Sequence, residues 1–135
     1  MSASGLDIEV LGIDLLVPDA PTALEVRELC VLALASADIE EGHMAVEFVD
    51  ADRIQTLNRE YRSIDKPTDV LSFGVDEDGD AAGPRELGDI VICPEHTSDL
   101  REAVVHGTLH LTGMDHEVDD GEMLALQAEL MRWVR

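Results

Sequence analysis

The sequence predicts one α/β or α+β layer fold of about four strands, with its elements in the order βαβαββαα. Two segments, Leu6–Val10 and Met44–Phe48, alternate apolar and polar residues as half-buried strands do. LGDIVIC, Leu87–Cys93, has the apolar core of a central strand, and apolar residues at helical spacing separate these segments. No repeat or linker interrupts residues 1–135, so we expect a single domain.

The amino-terminal half predicts strand, helix, strand and helix. Asp19 before Pro21 is expected to start the first helix, and Asp50 is expected to cap a second helix that ends near Arg62. The apolar residues that mark these helices are Val26, Leu29, Cys30, Ala33, Leu34 and Ala37 in the first and Ile54, Leu57 and Tyr61 in the second.

The carboxyl-terminal half predicts two strands and two helices. Val70–Phe73 is a short strand after a turn at Pro67, and the acidic stretch 74–84 is a loop. A helix is expected from Pro94 through Leu111.

Gly113 is expected to end that helix, and the spacing of Asp119 and Glu122 predicts a capping box for the last one. The apolar residues of the last helix are Met123, Leu126, Leu130, Met131 and Val134.

The charge of the chain is strongly negative but unevenly distributed. Nine Lys and Arg against 30 Asp and Glu give a formal charge of -21, which by itself argues against nucleic acid. Residues 53–75 are the exception, because four basic residues, Arg53, Arg59, Arg62 and Lys66, face only three acidic ones there. They form either a local positive face or the ordinary solvated charges of a helix.

Composition also bears on the compartment. Cys30 and Cys93 lie far apart without CxxC spacing, so we expect free thiols in a reducing environment. No basic region followed by an apolar run opens the chain, and no apolar stretch approaches about 20 residues. We therefore expect a cytoplasmic protein without a membrane partner.

The segment HGTLHLTGMDH, residues 106–116, predicts a metal site. His106 and His110 project from one face of a helix, and Gly113 allows the chain to turn so that His116 returns over them. Three imidazoles and an open position for water are the ligand set of a catalytic zinc ion. Asp115 either orients an imidazole or is a loop residue.

The histidine spacing resembles that of the metzincin metalloproteases, HExxHxxGxxH, in which the glutamate is the general base. Gly107 occupies that position here, which weakens a peptidase interpretation.

Three motifs together, LNREYRSIDKPTDVLSF, LGDIVIC and HGTLHLTGMDH, resemble the YbeY family of bacterial rRNA maturation factors, described as metal-dependent endoribonucleases. The resemblance extends from about Val46 to the carboxyl terminus. Gly74 stands where the family usually has proline, and Met114 where an aromatic residue is usual.

The resemblance implies an α+β fold, in which a mixed sheet of about four strands packs with four to five helices. It also implies one zinc ion on His106, His110 and His116, and a functionally important arginine at Arg62. It implies single-strand-specific cleavage during 3′-end maturation of small-subunit ribosomal RNA, together with ribosome quality control. The partners would be ribosomal RNA and the small ribosomal subunit, reached through ribosome-associated proteins.

The residues themselves are consistent with phosphodiester cleavage. Arg62 is expected either to bind phosphate oxygens through its planar guanidinium or to form an ion pair with Asp65 or Asp69. Arg59 and Lys66 either steer the RNA strand or are ordinary surface charges. Two nucleophiles are compatible with the sequence: a water molecule activated by the metal, and the ribose 2′-hydroxyl. Sequence readout based on stacking is not expected, because aromatic residues are few and Phe48 and Phe73 lie on apolar strand faces.

Two other functions remain open at this point. One is a non-catalytic ribosome assembly factor with a structural zinc, for which a fourth protein ligand would be the sign. The other is a metallohydrolase of peptides or small molecules that shares the ligand array but does not depend on Arg62.

Overall fold

Four strands form one mixed sheet in the computed structural model, which describes residues 5–18, 20–75 and 85–134. The strands are β1 (Leu6–Leu11), β2 (Gly42–Phe48), β3 (Val70–Gly74) and β4 (Glu86–Ile92), in the spatial order β1-β2-β4-β3. β1 and β4 run parallel to β2, and β3 runs antiparallel to β4. β4 lies between two neighbours, which explains the apolar core of LGDIVIC.

Four α-helices complete the described part of the chain: α1 (Ala23–Ala35), α2 (Ala51–Arg62), α3 (Leu100–Leu111) and α4 (Glu122–Met131). Two short 3-10 turns, Ile13–Leu15 and Pro94–His96, follow β1 and β4. The α+β class and the order βαβαββαα are thus confirmed. None of the described helices is long and apolar enough to cross a membrane. A single domain over residues 1–135 stays a prediction.

The two faces of the sheet are covered unequally. α1, α3 and α4 pack on one face around a core that includes Phe48, Ile90 and Leu109. On the other face α2 covers mainly β3 and β4, through a smaller cluster of Val49, Ile54, Leu57, Leu71, Val91 and Cys93. The β1 and β2 end of this second face therefore stays open, and exposed carboxylates such as those of Glu9 and Glu47 lie on it.

Two predicted helix starts are wrong. Thr22 caps α1, because its Oγ1 accepts the N–H of Glu25 at 3.1 Å, whereas Asp19 lies outside the described residues. Asp99 caps α3 by accepting the N–H of Glu102 at 3.0 Å, so Pro94 begins only a 3-10 turn. Extended backbone at Thr97 separates that turn from α3.

The predicted capping box of the last helix is also wrong in detail. Gly121 is the N-cap of α4, and the Asp119 carboxylate accepts the N–H groups of Gly121 and Met123 at 2.8 and 2.9 Å. Glu122 accepts the N–H of Asp120 rather than that of Asp119. Asp119 thus holds the start of α4 from two residues further upstream.

Several local predictions are confirmed. The Asp50 carboxylate caps α2 by accepting the N–H of Arg53 at 2.9 Å, and α2 ends at Arg62. Cys30 and Cys93 are free and buried. The expected strand Val70–Phe73 is β3, whereas most of the expected acidic loop, residues 76–84, lies outside the described residues. Ala37 and Val134 lie beyond the ends of α1 and α4.

Candidate metal centre

Helix α3 and the turn that follows it bring three histidines together. His106 and His110 lie one helical turn apart on α3. Gly113 then adopts a φ of +105°, which residues with a side chain rarely adopt. The N–H of Met114 donates to the carbonyl of Leu109 at 3.3 Å. The chain thereby folds back and places His116 beside the first two rings.

The three imidazoles surround one point. Their ring centroids lie 4.8, 5.0 and 5.2 Å apart in pairs, and one nitrogen from each ring lies within 4.8 Å of the other two. In the described part of the chain no carboxylate, cysteine or further histidine joins this group. His106, His110 and His116 can therefore hold one metal ion and leave coordination positions open.

Two of the rings are held in a defined orientation through Nδ1. His106 Nδ1 lies 2.7 Å from Oε1 of Gln127 on α4, and His110 Nδ1 lies 3.0 Å from the carbonyl oxygen of Met114. Both acceptors lack a hydrogen, so each Nδ1 donates, and Nε2 of each ring keeps its lone pair for a metal.

Gln127 is the functional residue that sequence reasoning missed. Its side chain is 9% exposed, although it is polar. The sequence does indicate its burial, because Gln127 lies four residues after Met123 and three before Leu130 and therefore shares the buried face of α4 with them. A polar residue on such a stripe has to find a buried partner, which here is a candidate ligand.

Observations at the other two histidines also fit a cation. His116 Nδ1 is buried and has no hydrogen-bond partner among the described residues, a state that is costly unless another group binds it. Burial lowers the pKa of His110, as do the nearby rings of His106 and His116, so the neutral form that binds metal is favoured. The Asp115 carboxylate accepts the N–H of Glu117 at 3.0 Å. Asp115 thus stabilises the loop, which is the second of the two roles considered for it.

The histidines line an open cleft of about 810 Å³ that also includes Arg62. Its other wall is formed by consecutive residues of β3, the edge strand, and Tyr61 lies at its rim. Asp69, Asp115 and Glu117 also line it. Among the described lining residues Arg62 is the one with a permanent positive charge, so it is the group that can receive a phosphate.

The alternative role of Arg62, an ion pair with Asp65 or Asp69, is not found among the described residues. Asp65 instead accepts from Arg59 Nη1 at 3.3 Å, and Asp69 accepts the N–H of Val70 at 2.8 Å. Arg62 is exposed at the end of α2, and its guanidinium is available to a ligand.

The structure does not bring Arg59 and Lys66 to the cleft. Arg59 is engaged with Asp65, and Lys66 is exposed in the loop after α2. Neither lines the cavity beside the histidines. A contribution from them to RNA binding would act from outside the cleft.

Gly107 explains why no general base follows the first histidine. A Cβ at this position would lie 2.7 Å from Cγ2 of Ile90, which is fully buried on β4. The helix position that carries glutamate in metzincins therefore faces the sheet here, and α3 packs too closely for any side chain.

Comparisons with known proteins identify relatives of this chain. The sequence profile of the YbeY family, described as Endoribonuclease YbeY, matches residues 18–135. Endoribonuclease YbeY of Rubrobacter xylanophilus is 42% identical over 116 residues, which cover 80% of this chain and 82% of that protein. Endoribonuclease YbeY of Azorhizobium caulinodans is 37% identical over 129 residues, which cover 84% and 81%.

A solved structure shows the same fold. The solution structure of TM1509 from Thermotoga maritima matches with a TM-score of 0.51 and 29% sequence identity. The match covers 93% of this chain and 87% of that one.

Proposed function

Because the chain belongs to the YbeY endoribonuclease family, we propose that it is a zinc-dependent endoribonuclease that cuts single-stranded RNA. Its role would be 3′-end maturation of small-subunit ribosomal RNA and ribosome quality control in the cytoplasm. The observation that supports this most directly is that three clustered histidines and Arg62 line one open cleft.

The cluster suits zinc, because three neutral imidazole nitrogens with open positions are a common donor set of catalytic zinc sites. His106, His110 and His116 would hold the ion. When bound, zinc supplies Lewis-acid stabilisation of charge on a phosphate and acidifies a water molecule. Gln127 and the Met114 carbonyl keep two of the rings in the tautomer that leaves Nε2 free.

Arg62 would bind and orient the scissile phosphate. Its planar guanidinium donates two parallel hydrogen bonds to phosphate oxygens, and it carries its charge at every pH of interest. Negative charge accumulates on those oxygens in the transition state, so a donor already fixed at that place stabilises it more than the ground state. A lysine would supply the positive charge but not the two parallel N–H donors.

The acidity of the chain indicates that RNA reaches the cleft with help. A charge of -21 repels free RNA at long range. We therefore propose that ribosome-associated proteins present the RNA to the enzyme on the small subunit. Arg59 and Lys66 would assist at the edge of the approach, outside the cleft.

The two other functions are less well supported. A structural zinc would be expected to have four protein ligands, whereas the described residues offer three at this point. A peptidase of the metzincin type would need a general base, and Gly107 faces the sheet where that base would stand.

The test is cleavage of an end-labelled single-stranded RNA by chelator-treated and zinc-reloaded protein. We expect cleavage to return with zinc and to fall by at least 100-fold in His110→Ala and Arg62→Ala, because each removes a group that stabilises the transition state. Arg132→Ala removes an equally charged residue whose side chain is 77% exposed on the far end of α4, and it should cleave normally. Equal cleavage by all three variants would exclude this site as the nuclease.

A further inference from the structure

A second cavity, of about 390 Å³, adjoins the metal cleft, because Tyr61 and Phe73 line both. It lies between α2 and the part of the sheet that α2 leaves open. Arg53, Leu57 and Tyr61 recur every four residues along α2 and form one wall. Ala45 and Val91 contribute to the floor on β2 and β4.

One wall of this second cavity is an exposed aromatic ring. Tyr61 is 66% exposed, and its ring lies edge-on to that of half-buried Phe73, with centroids 5.1 Å apart at 67°. Phe73 holds the ring of Tyr61 at the ridge between the two cavities while leaving a large part of its surface in solvent. A nucleobase can stack on such a ring.

Two carboxylates, those of Glu47 and Asp89, line the second cavity together with Arg53. Asp89 lies opposite Phe73 on β3 and opposite Ala45 on β2, and Glu47 lies opposite Val91, so both carboxylates project from the same face of the sheet. Both residues are exposed, and neither side chain has a hydrogen-bond or ion-pair partner among the described residues. Carboxylates repel phosphate, but they accept hydrogen bonds from the amino groups of bases.

We propose that this cavity is a nucleobase subsite, in which a base next to the scissile phosphate stacks on Tyr61 and donates its exocyclic amino group to Asp89 or Glu47. This inference rests on the proposed function. Guanine suits it best, because its N1–H and N2–H2 groups are adjacent donors, and adenine and cytosine offer one amino group each. Uracil presents carbonyl oxygens on both sides of its single N–H and is disfavoured beside two carboxylates.

The geometry also divides the substrate by charge. Arg62 lies in the metal cleft with the histidines and with three carboxylates, whereas Asp89 and Glu47 lie beyond the ridge of Tyr61. The anionic backbone and the neutral base would thus contact different surfaces. Arg53 also lines the second cavity and would contact a further phosphate of the strand.

The test measures binding of fluorescein-labelled RNA octamers to the zinc-loaded full chain by anisotropy. All proteins compared carry Arg62→Ala, because this substitution is expected to prevent cleavage of the probe. One octamer is all uridine, and the others carry a single guanosine, adenosine or cytidine at the fourth position. We expect the guanosine octamer to bind on the order of tenfold more tightly than the all-uridine octamer, and Asp89→Asn and Glu47→Gln to reduce that ratio toward one. Glu60→Gln is the matched control, because it removes one exposed carboxylate on α2 outside both cavities and should keep the ratio.

Substitution of Tyr61 tests stacking separately. Tyr61→Leu should weaken binding of the guanosine octamer on the order of tenfold, and Tyr61→Phe should restore it, because the ring and not the hydroxyl is required. Equal binding of all octamers by the Arg62→Ala protein without further substitutions, or an unchanged ratio in both carboxylate variants, would overturn the subsite. Zinc-dependent cleavage of the all-uridine octamer by wild-type protein would still support the nuclease in that case, so the two failures are distinguishable.

Discussion

Replacing Gln127 tests how a buried amide on one helix controls the candidate metal centre on another. Gln127→Met keeps the length and volume of the side chain but removes the acceptor 2.7 Å from His106 Nδ1. The imidazole can then rotate or change tautomer, and loss of such an outer partner typically lowers metal affinity about 10- to 100-fold. That range corresponds to about 1.4 to 2.8 kcal/mol of zinc-binding free energy.

The assay is competition for zinc between the protein and a chromophoric chelator at neutral pH. Gln127→Glu should bind at least as tightly as wild type, because a carboxylate also accepts from Nδ1 and makes the ring more basic. Gln55→Met is the matched control, since Gln55 donates to Asp65 on the exposed side of α2, away from the histidines. Wild-type affinity in Gln127→Met, with the fold intact by circular dichroism, would refute the assignment of Gln127 as a positioning residue.

Three further predictions concern stability and reactivity. Gly107→Ala should lower the free energy of unfolding by about 1 to 3 kcal/mol in urea titrations, and by less in an Ile90→Ala background, because the new methyl group meets that buried side chain. The hydrogen bond to Glu86 is the main cause that raises the pKa of His43. The stability that this bond confers is therefore complete below about pH 6.5 and disappears as the pH rises through the folded-state pKa. The difference in unfolding free energy between wild type and His43→Gln should shrink over that range, and a constant difference would contradict this. Burial raises the pKa of Cys30 to about 12, so a thiol reagent at pH 8 should label this residue only after unfolding, as peptide mapping would show.

Local signals were sufficient for some elements of the fold. α2 was predicted at both ends because its cap, Asp50, is adjacent in sequence and its last turn is followed by Ser63 in a left-handed conformation that ends the helix. The histidine array was likewise readable, because helix spacing and Gly113 fix the relative positions of residues that lie within one short segment. In both cases the determining contacts span only a few residues.

Other features depend on contacts between distant segments. The start of α3 was misplaced because Cys93, before Pro94, is tied by its N–H to the Asp69 carbonyl at 2.8 Å, and Thr97 Oγ1 donates to the carbonyl of Cys93 at 2.7 Å. These bonds hold the segment against the sheet and delay the helix to Leu100. Proline at a tolerated helix position does not by itself start a helix.

The exposure of Tyr61 illustrates a second limit of sequence patterns. Its spacing with Ile54 and Leu57 placed it on the apolar face of α2, and it does extend that face. The helix, however, covers only two of the four strands, so its final turn passes beyond the buried cluster and leaves the ring on the ridge between two cavities. Periodicity indicates which residues share a face, but the extent of the partner surface decides which of them are buried.

The strong negative charge and an RNA substrate are compatible if attraction operates only at short range. At physiological ionic strength the screening length is about 8 Å, so a phosphate within the cleft senses mainly the groups that line it. These are Arg62 and the candidate metal centre together with three carboxylates, whereas an approaching free strand meets the whole acidic surface. RNA on a ribosomal subunit arrives with basic proteins, which an acidic surface attracts. Under the proposed function, the charge that slows the approach of free RNA would favour RNA that is presented among basic proteins.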